Sequence, residues 1–274
     1  MPELQFRLCL AALTRDADNA GSPDRLNVTI NVNGNDVTVA EFIAEHPAAQ
    51  GYLQHAERNA HFDPELLTNS SVRIGNRGDN AWAPQHVLLF GHADPRWNVV
   101  PIAMETDLTK WLSSDATEGA LTLPLRLVGL GGSDTLIHRL LLLVRTADED
   151  DAGTDSPLLL RVNNENGQLL ASEPVTDTPQ DDLERGVSNW YYLPRDHPLQ
   201  TPFREADLGL FSIELEILGE DAWLPDSLYL FGLDTPVGRP TKLVPLSSNP
   251  IWRMGVLSQA ESEGKPKVQL GRFG

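Results

Sequence analysis

Five carboxylates fall within eight residues in the loop Asp148-Glu149-Asp150-Asp151-Ala152-Gly153-Thr154-Asp155. Such a loop suits a hard cation, because Ca²⁺ takes about six to eight oxygens from carboxylates, carbonyls and water. Asp148, Asp150 and Asp155 are the candidate calcium ligands, and Asp221, at a later turn, is a candidate contributor. The spacing is not that of an EF-hand, whose glycine and terminal bidentate glutamate are missing from their places. The competing reading is a solvated acidic turn held apart by self-repulsion. Asp16, Asp18, Asn19 and Asp24 form a sparser version of the same loop near the start of the chain. Trp190-Tyr191-Tyr192 is the most ligand-like aromatic cluster and the candidate binding surface, although alternate members of such a strand face the core.

Residues able to carry covalent or acid-base chemistry do not fall into a recognisable set. There is no Gly-x-Ser-x-Gly elbow and no phosphate-cradling glycine loop. His55 and His61 lie too far apart in sequence for His-Glu-x-x-His, so neither zinc nor a catalytic metal is indicated. Cys9, the single cysteine, sits between Leu8 and Leu10 and reads as a small core residue. Arg77-Gly78-Asp79 reads as a turn. No catalytic residue is assigned, and a hydrolase with a site in residues 35–70 is the weakest of the functional alternatives.

The elements that position these residues show a repeat. At a constant offset of 141, eight of 21 positions are identical between Ser71–Gly91 and Ser212–Gly232, among them Gly78/Gly219, Trp82/Trp223, Pro84/Pro225 and Phe90/Phe231. Each copy reads as strand, glycine turn, Trp-x-Pro corner and strand. Ahead of it, Gln5–Leu10 and Leu26–Val32 flank one polar loop, and Arg139–Val144 and Leu158–Val162 flank the acidic one. After it, Val100-Pro101 matches Val244-Pro245, Trp111 matches Trp252, and Glu118-Gly119 matches Glu263-Gly264. Between opening unit and corner the copies diverge. Thr38-Val39-Ala40-Glu41 has capping-box spacing and predicts a short helix through Glu45, and residues 48–64 read as loop. Strand Phe211–Ile217 is expected in the second copy. The fold class is therefore all-β: two tandem antiparallel β-sandwich domains related by internal duplication, 1–129 and 133–274, joined at a short glycine cluster.

Composition narrows the partners. Formal charge is −18, from 39 acidic against 21 basic residues, so the field repels nucleic acid and anionic bilayers. No apolar run approaches the ~20 residues of a membrane span. The start of the chain shows no cleavable signal, and one cysteine fits a reducing compartment, so a cytoplasmic protein is expected, with signal-less export left open.

Val144-x-Thr146, then Asp150-Asp151-Ala152-Gly153-Thr154-Asp155-Ser156-Pro157, resembles the opening hairpin of PLAT (LH2) domains. Leu208-Gly209 and Asp221-Ala222-Trp223-Leu224-Pro225 are similar to that family's later landmarks, over most of residues 137–233. The first copy keeps Ala20-Gly21-Ser22 and Asn80-Ala81-Trp82 but has no Leu-Gly counterpart. The resemblance implies tandem eight-stranded sandwiches that bind or position a lipid or a protein, sometimes with calcium, and that do not catalyse. A non-catalytic adaptor for a partner protein is the leading expectation, and a calcium-assisted lipid-targeting module the alternative.

Overall fold

The computed structural model describes residues 6–32, 35–42, 50–56, 58–59, 71–93, 98–175 and 183–271. Its strands are β1 Phe6–Thr14, β2 Leu26–Val32, β3 Asn35–Phe42, β4 Gly51–His55, β5 Arg58–Asn59, β6 Val72–Asn76, β7 Pro84–Ala93, β8 Asn98–Glu105, β9 Thr122–Leu125 and β10 Gly129–Leu130. They continue as β11 Leu136–Ile137, β12 Arg139–Thr146, β13 Leu158–Asn163, β14 Leu169–Val175, β15 Ser188–Leu193, β16 Phe203–Arg204, β17 Ile213–Ile217, β18 Pro225–Leu233, β19 Lys242–Asn249 and β20 Lys267–Leu270. The chain divides into two compact units, Met1–Gly129 and Leu130–Gly274.

In the first unit β4-β1-β7-β8 form one antiparallel layer and β5-β3-β2-β6-β9 another. Side chains two apart share a strand face. Leu8, Leu10 and Ala12 of β1 thus join Val87 and Leu89 of β7, Leu26, Val28 and Ile30 of β2, and Val72 and Ile74 of β6 in one core. The second unit repeats the arrangement with β19-β18-β12-β15 and β14-β13-β17-β20, around Leu140, Leu142, Val144, Leu158, Leu160, Ile213, Leu215 and Leu228. Leu140 to Val144 are all buried, which is why β12 carries an unbroken apolar run where β13 alternates. Each unit is an antiparallel β-sandwich.

Several local contacts occur in both units. The buried Trp82 indole donates Nε1–H to Thr14 Oγ1 at 3.0 Å, and Trp223 does the same to Thr146 Oγ1 at 3.0 Å. Each indole residue bridges to a leucine, Trp82 to Leu112 and Trp223 to Leu257. A methyl at Gly78 would overlap the Asp24 carboxyl and one at Gly219 the Ser156 hydroxyl, so both turns require glycine for close approach. In β8 the residue opposite Phe90 is Pro101 and the residue opposite Leu89 is Ala103, which leaves Ile102 bulged. In β19 Pro245 faces Phe231 and Ser247 faces Leu230, leaving Leu246 bulged. Both bulged side chains enter the cores.

Four expectations are corrected, the first being strand Phe211–Ile217: β17 starts at Ile213, because the Ser212 hydroxyl accepts from Gly209 N and turns the chain there. Residues 35–42 are strand β3, not the start of a helix, because Val37, Thr38 and Val39 are β-branched and pairing with β2 buries Val39, Ala40 and Phe42; residues 43–45 lie outside the described residues. Within the expected loop 48–64, Gly51–His55 form β4 against β1, burying Tyr52 and Leu53, and Arg58–Asn59 form β5; His61 lies outside the described residues. Trp111 and Trp252 occupy different places. Trp111 O accepts from Ala120 N at 3.0 Å, the position held in the second unit by Val256 O with Lys265 N at 3.1 Å. Trp252 N instead donates to Asp226 O at 2.8 Å, matching Leu108 N to Gln85 O at 2.9 Å in the first unit.

Candidate functional site

At one end of the first sandwich three loops, 15–24, 77–82 and 111–120, enclose an open cleft of about 640 Å³ lined by Asp18, Asn19, Gly21, Pro23, Asp79, Asn80, Ala81, Trp111 and Glu118. Its walls are built from the loops' own hydrogen bonds. Asp24 Oδ2 accepts from Asn80 N at 2.6 Å and its Oδ1 from Asn80 Nδ2 at 3.3 Å, while Ala83 N donates to Ala20 O at 2.9 Å. Asn19 takes the left-handed conformation, φ 58°, that asparagine tolerates better than most residues. Glu118 Oε2 accepts from Ser113 Oγ at 3.0 Å, and Asp115 accepts from both the N–H and the hydroxyl of Thr117, which hold its carboxyl below the usual range. The Arg15 guanidinium lies 5.9 Å from the Trp111 ring centroid and donates to Lys110 O at 3.1 Å.

The cleft presents three carboxylates, two amides and one indole. Among the described residues no Lys or Arg forms an ion pair with Asp18, Asp79 or Glu118. Nor do three or more His, Cys, Asp or Glu side chains converge anywhere among those residues as a metal cage requires. Carboxylates at a cleft can accept hydrogen bonds from an ammonium or a guanidinium.

The corresponding end of the second unit places the four candidate calcium ligands in two pairs. Arg185 bridges the first: its Nε donates to Asp148 Oδ1 at 2.8 Å and its Nη1 to Asp150 Oδ1, and these hydrogen bonds raise its pKa above the usual guanidinium value. In the second, Asp155 N donates to Asp221 Oδ2 at 3.1 Å, and Asp221 N donates to Ser156 Oγ at 3.1 Å. A guanidinium thus sits on two of the four carboxylates that the spacing offers to calcium. Of the aromatic cluster, Tyr191 lies in the core and Trp190 is buried, while Tyr192 is half-buried, 5.9 Å edge-on from Trp190 and 4.6 Å from the Arg139 guanidinium.

Sequence reasoning missed Asp79, Trp111 and Glu118 as neighbours of the Asp18 loop, and Arg185 as the partner of the acidic loop. The available signals were the shared glycine turn at Gly78/Gly219 and the repeated Glu-Gly pairs, which mark loops at one end of a sandwich, and a lone arginine between Glu184 and Gly186.

No family model matches the chain, and no curated protein is significantly similar to it. Among solved structures, alpha toxin from Clostridium absonum matches with a TM-score of 0.37 and 18% identity over 51% of this chain and 33% of the toxin chain. The matched half of this chain therefore covers about a third of that structure. No helix among the described residues is long and apolar enough to cross a membrane.

Proposed function

We propose that this chain is a non-catalytic binding protein built on two PLAT-like sandwiches that arose by internal duplication, and that the first unit's cleft receives a lysine- or arginine-bearing segment of a partner protein. The duplication is supported by the contacts the units share, the Trp–Thr bonds, the glycine turns and the proline bulges. The observation that carries the binding reading is the pre-shaped groove holding Asp18, Asp79 and Glu118 beside an indole. Arg185 on Asp148 and Asp150 is the intramolecular form of the same recognition, a guanidinium across loop carboxylates of this fold. Loops held by their own hydrogen bonds lower the ordering cost of association, and the chain's charge of −18 speeds the approach of a basic partner.

Fluorescence polarisation with labelled arginine-rich, lysine-rich and glutamate-rich peptides tests this. Basic peptides should bind, with affinity falling as salt rises. Asp79→Asn with Glu118→Gln should weaken binding about tenfold, at up to ~1 kcal/mol per exposed pair, with an unchanged melting temperature. Equal binding by variant and parent, or substrate turnover abolished by changing a His or Asp in residues 35–70, would defeat the proposal.

A further inference from the structure

The end of the second sandwich remote from its acidic loop carries a braced apolar tip. Sequence pattern puts Phe211 in a strand, yet β17 starts at Ile213, and Phe211 is 71% exposed with Leu210 at 66%. Leu169, which faces Asn163 across the β13–β14 ladder, is 53% exposed. Asn163 N donates to Ser212 O at 2.7 Å, so Leu169 and Ser212 lie level, two strand spacings apart, roughly 10 Å. Leu210 and Phe211 thus lie at the same end of the sandwich as Leu169.

The loop that displays Leu210 and Phe211 is held on both sides. Leu208 is anchored in the core, and its N–H closes the 3-10 turn Glu205–Asp207 on Glu205 O at 3.0 Å. Gly209 N donates to the buried Ser212 Oγ at 2.6 Å, Glu165 N to Asp207 O at 3.0 Å, and Arg204 N to Asp207 Oδ2 at 2.7 Å. Gly209 packs against Glu165, where a built Cβ would lie 3.3 Å from the Glu165 Cα. Two large side chains at the apex of such a loop are pre-organised outward, the geometry of an interface anchor.

The surrounding charge selects what the anchor fits. The bracing segments carry Glu165, Glu205 and Asp207, with Asp134 next to Ser133, whose carbonyl accepts from Ala206 N at 3.1 Å; Arg204 is the cation among them. An anionic lipid surface is repelled by this collar. A calcium ion on the Asp148–Asp155 loop could not bridge the tip to a membrane, because the length of β13 and β17, roughly 17–20 Å, separates the two ends. We infer that Leu210 and Phe211 anchor a partner protein, entering an apolar socket rimmed by lysine or arginine. This surface is separate from the cleft of the first unit and does not depend on it.

The test places a benzophenone side chain at position 211 of the full chain in its native host, with Val237, on another hairpin, as the control site. The expected result is a protein adduct at 211 and not at 237, mapping to an apolar residue flanked by Lys or Arg. With the purified pair, Phe211→Ala should weaken binding at least tenfold and Leu210→Ala several-fold, with melting temperatures unchanged. Asp79→Asn with Glu118→Gln should leave the adduct at 211 intact, which separates this proposal from the cleft. It is overturned if the adduct joins two copies of this chain, if no adduct exceeds the control, if Phe211→Ala binds as tightly as the parent, or if phosphatidylcholine vesicles retain the protein in a Phe211-dependent way.

Discussion

Replacing Thr146 with valine tests the second unit at its most constrained polar contact. The Thr146 hydroxyl accepts from Trp223 Nε1 at 3.0 Å and donates to Leu183 O at 3.1 Å, and Thr146 and the indole are both fully buried. Valine keeps the shape and removes both bonds. The indole N–H left without a partner costs about 1–3 kcal/mol, while Leu183 O keeps the bond it accepts from Thr154 N at 3.3 Å, so a loss of about 1–3 kcal/mol is expected. Thr146→Ser retains the hydroxyl and loses one methyl, at about 1 kcal/mol. Urea unfolding followed by tryptophan fluorescence should rank parent, serine and valine in that order. A double-mutant cycle with Trp223→Phe should show a coupling of about 1 kcal/mol or more. If valine and serine are equally stable, or the cycle is additive, the hydroxyl is not what holds the indole and the reasoning fails.

Arg185→Ala should leave the melting temperature nearly unchanged, because the ion pairs with Asp148 and Asp150 are exposed and screened by solvent; calcium should then raise the melting temperature of the variant more than that of the parent, and an equal response would show that calcium does not use those carboxylates. Gly78→Ala drives the new methyl into Asp24 and breaks its bonds to Asn80, so thermal unfolding should show a loss of about 1–3 kcal/mol and basic peptides should no longer bind. Burial raises the Glu173 carboxyl above its usual 4.5, against a smaller opposing pull from His197. Its folded form thus prefers the proton, and its contribution to stability is greatest below 4.5 and falls as pH rises through the folded value. Glu173→Gln should therefore melt above the parent at neutral pH, with the difference closing on acidification below 4.5; a pH-independent difference would refute the assignment.

The sandwich was legible where strand and turn chemistry are local. Leu8, Leu10 and Ala12 alternate, Trp82 and Trp223 sit between a glycine and a proline, and these features report a strand face and a corner without distant partners. Segment 35–42 misled because Thr38-x-x-Glu41 satisfies a capping-box spacing, while the pairing that decides its fate comes from Leu26–Val32. The strand at Gly51–His55 carries little pattern of its own and exists because β1 offers it an edge. Phe211 extended a β-forming run by type, but the Ser212 hydroxyl turns the chain there by accepting from Gly209. The cleft was illegible because Asp18, Asp79 and Glu118 come from three loops that only the closed sandwich gathers, and Arg185 because it lies 37 residues from Asp148.

The proline bulges in β8 and β19 have a kinetic consequence. Pro101 and Pro245 lack the N–H that a regular ladder position needs, and a one-residue slip would carry each into such a position and turn Ile102 or Leu246 out of its core. The β7–β8 and β18–β19 pairings join strands adjacent in the chain, whereas β1–β7 and β12–β18 close long loops and form slowly. Each early hairpin therefore enters the search with one alignment already selected, so the later, slower strands dock onto a template that offers them a single arrangement.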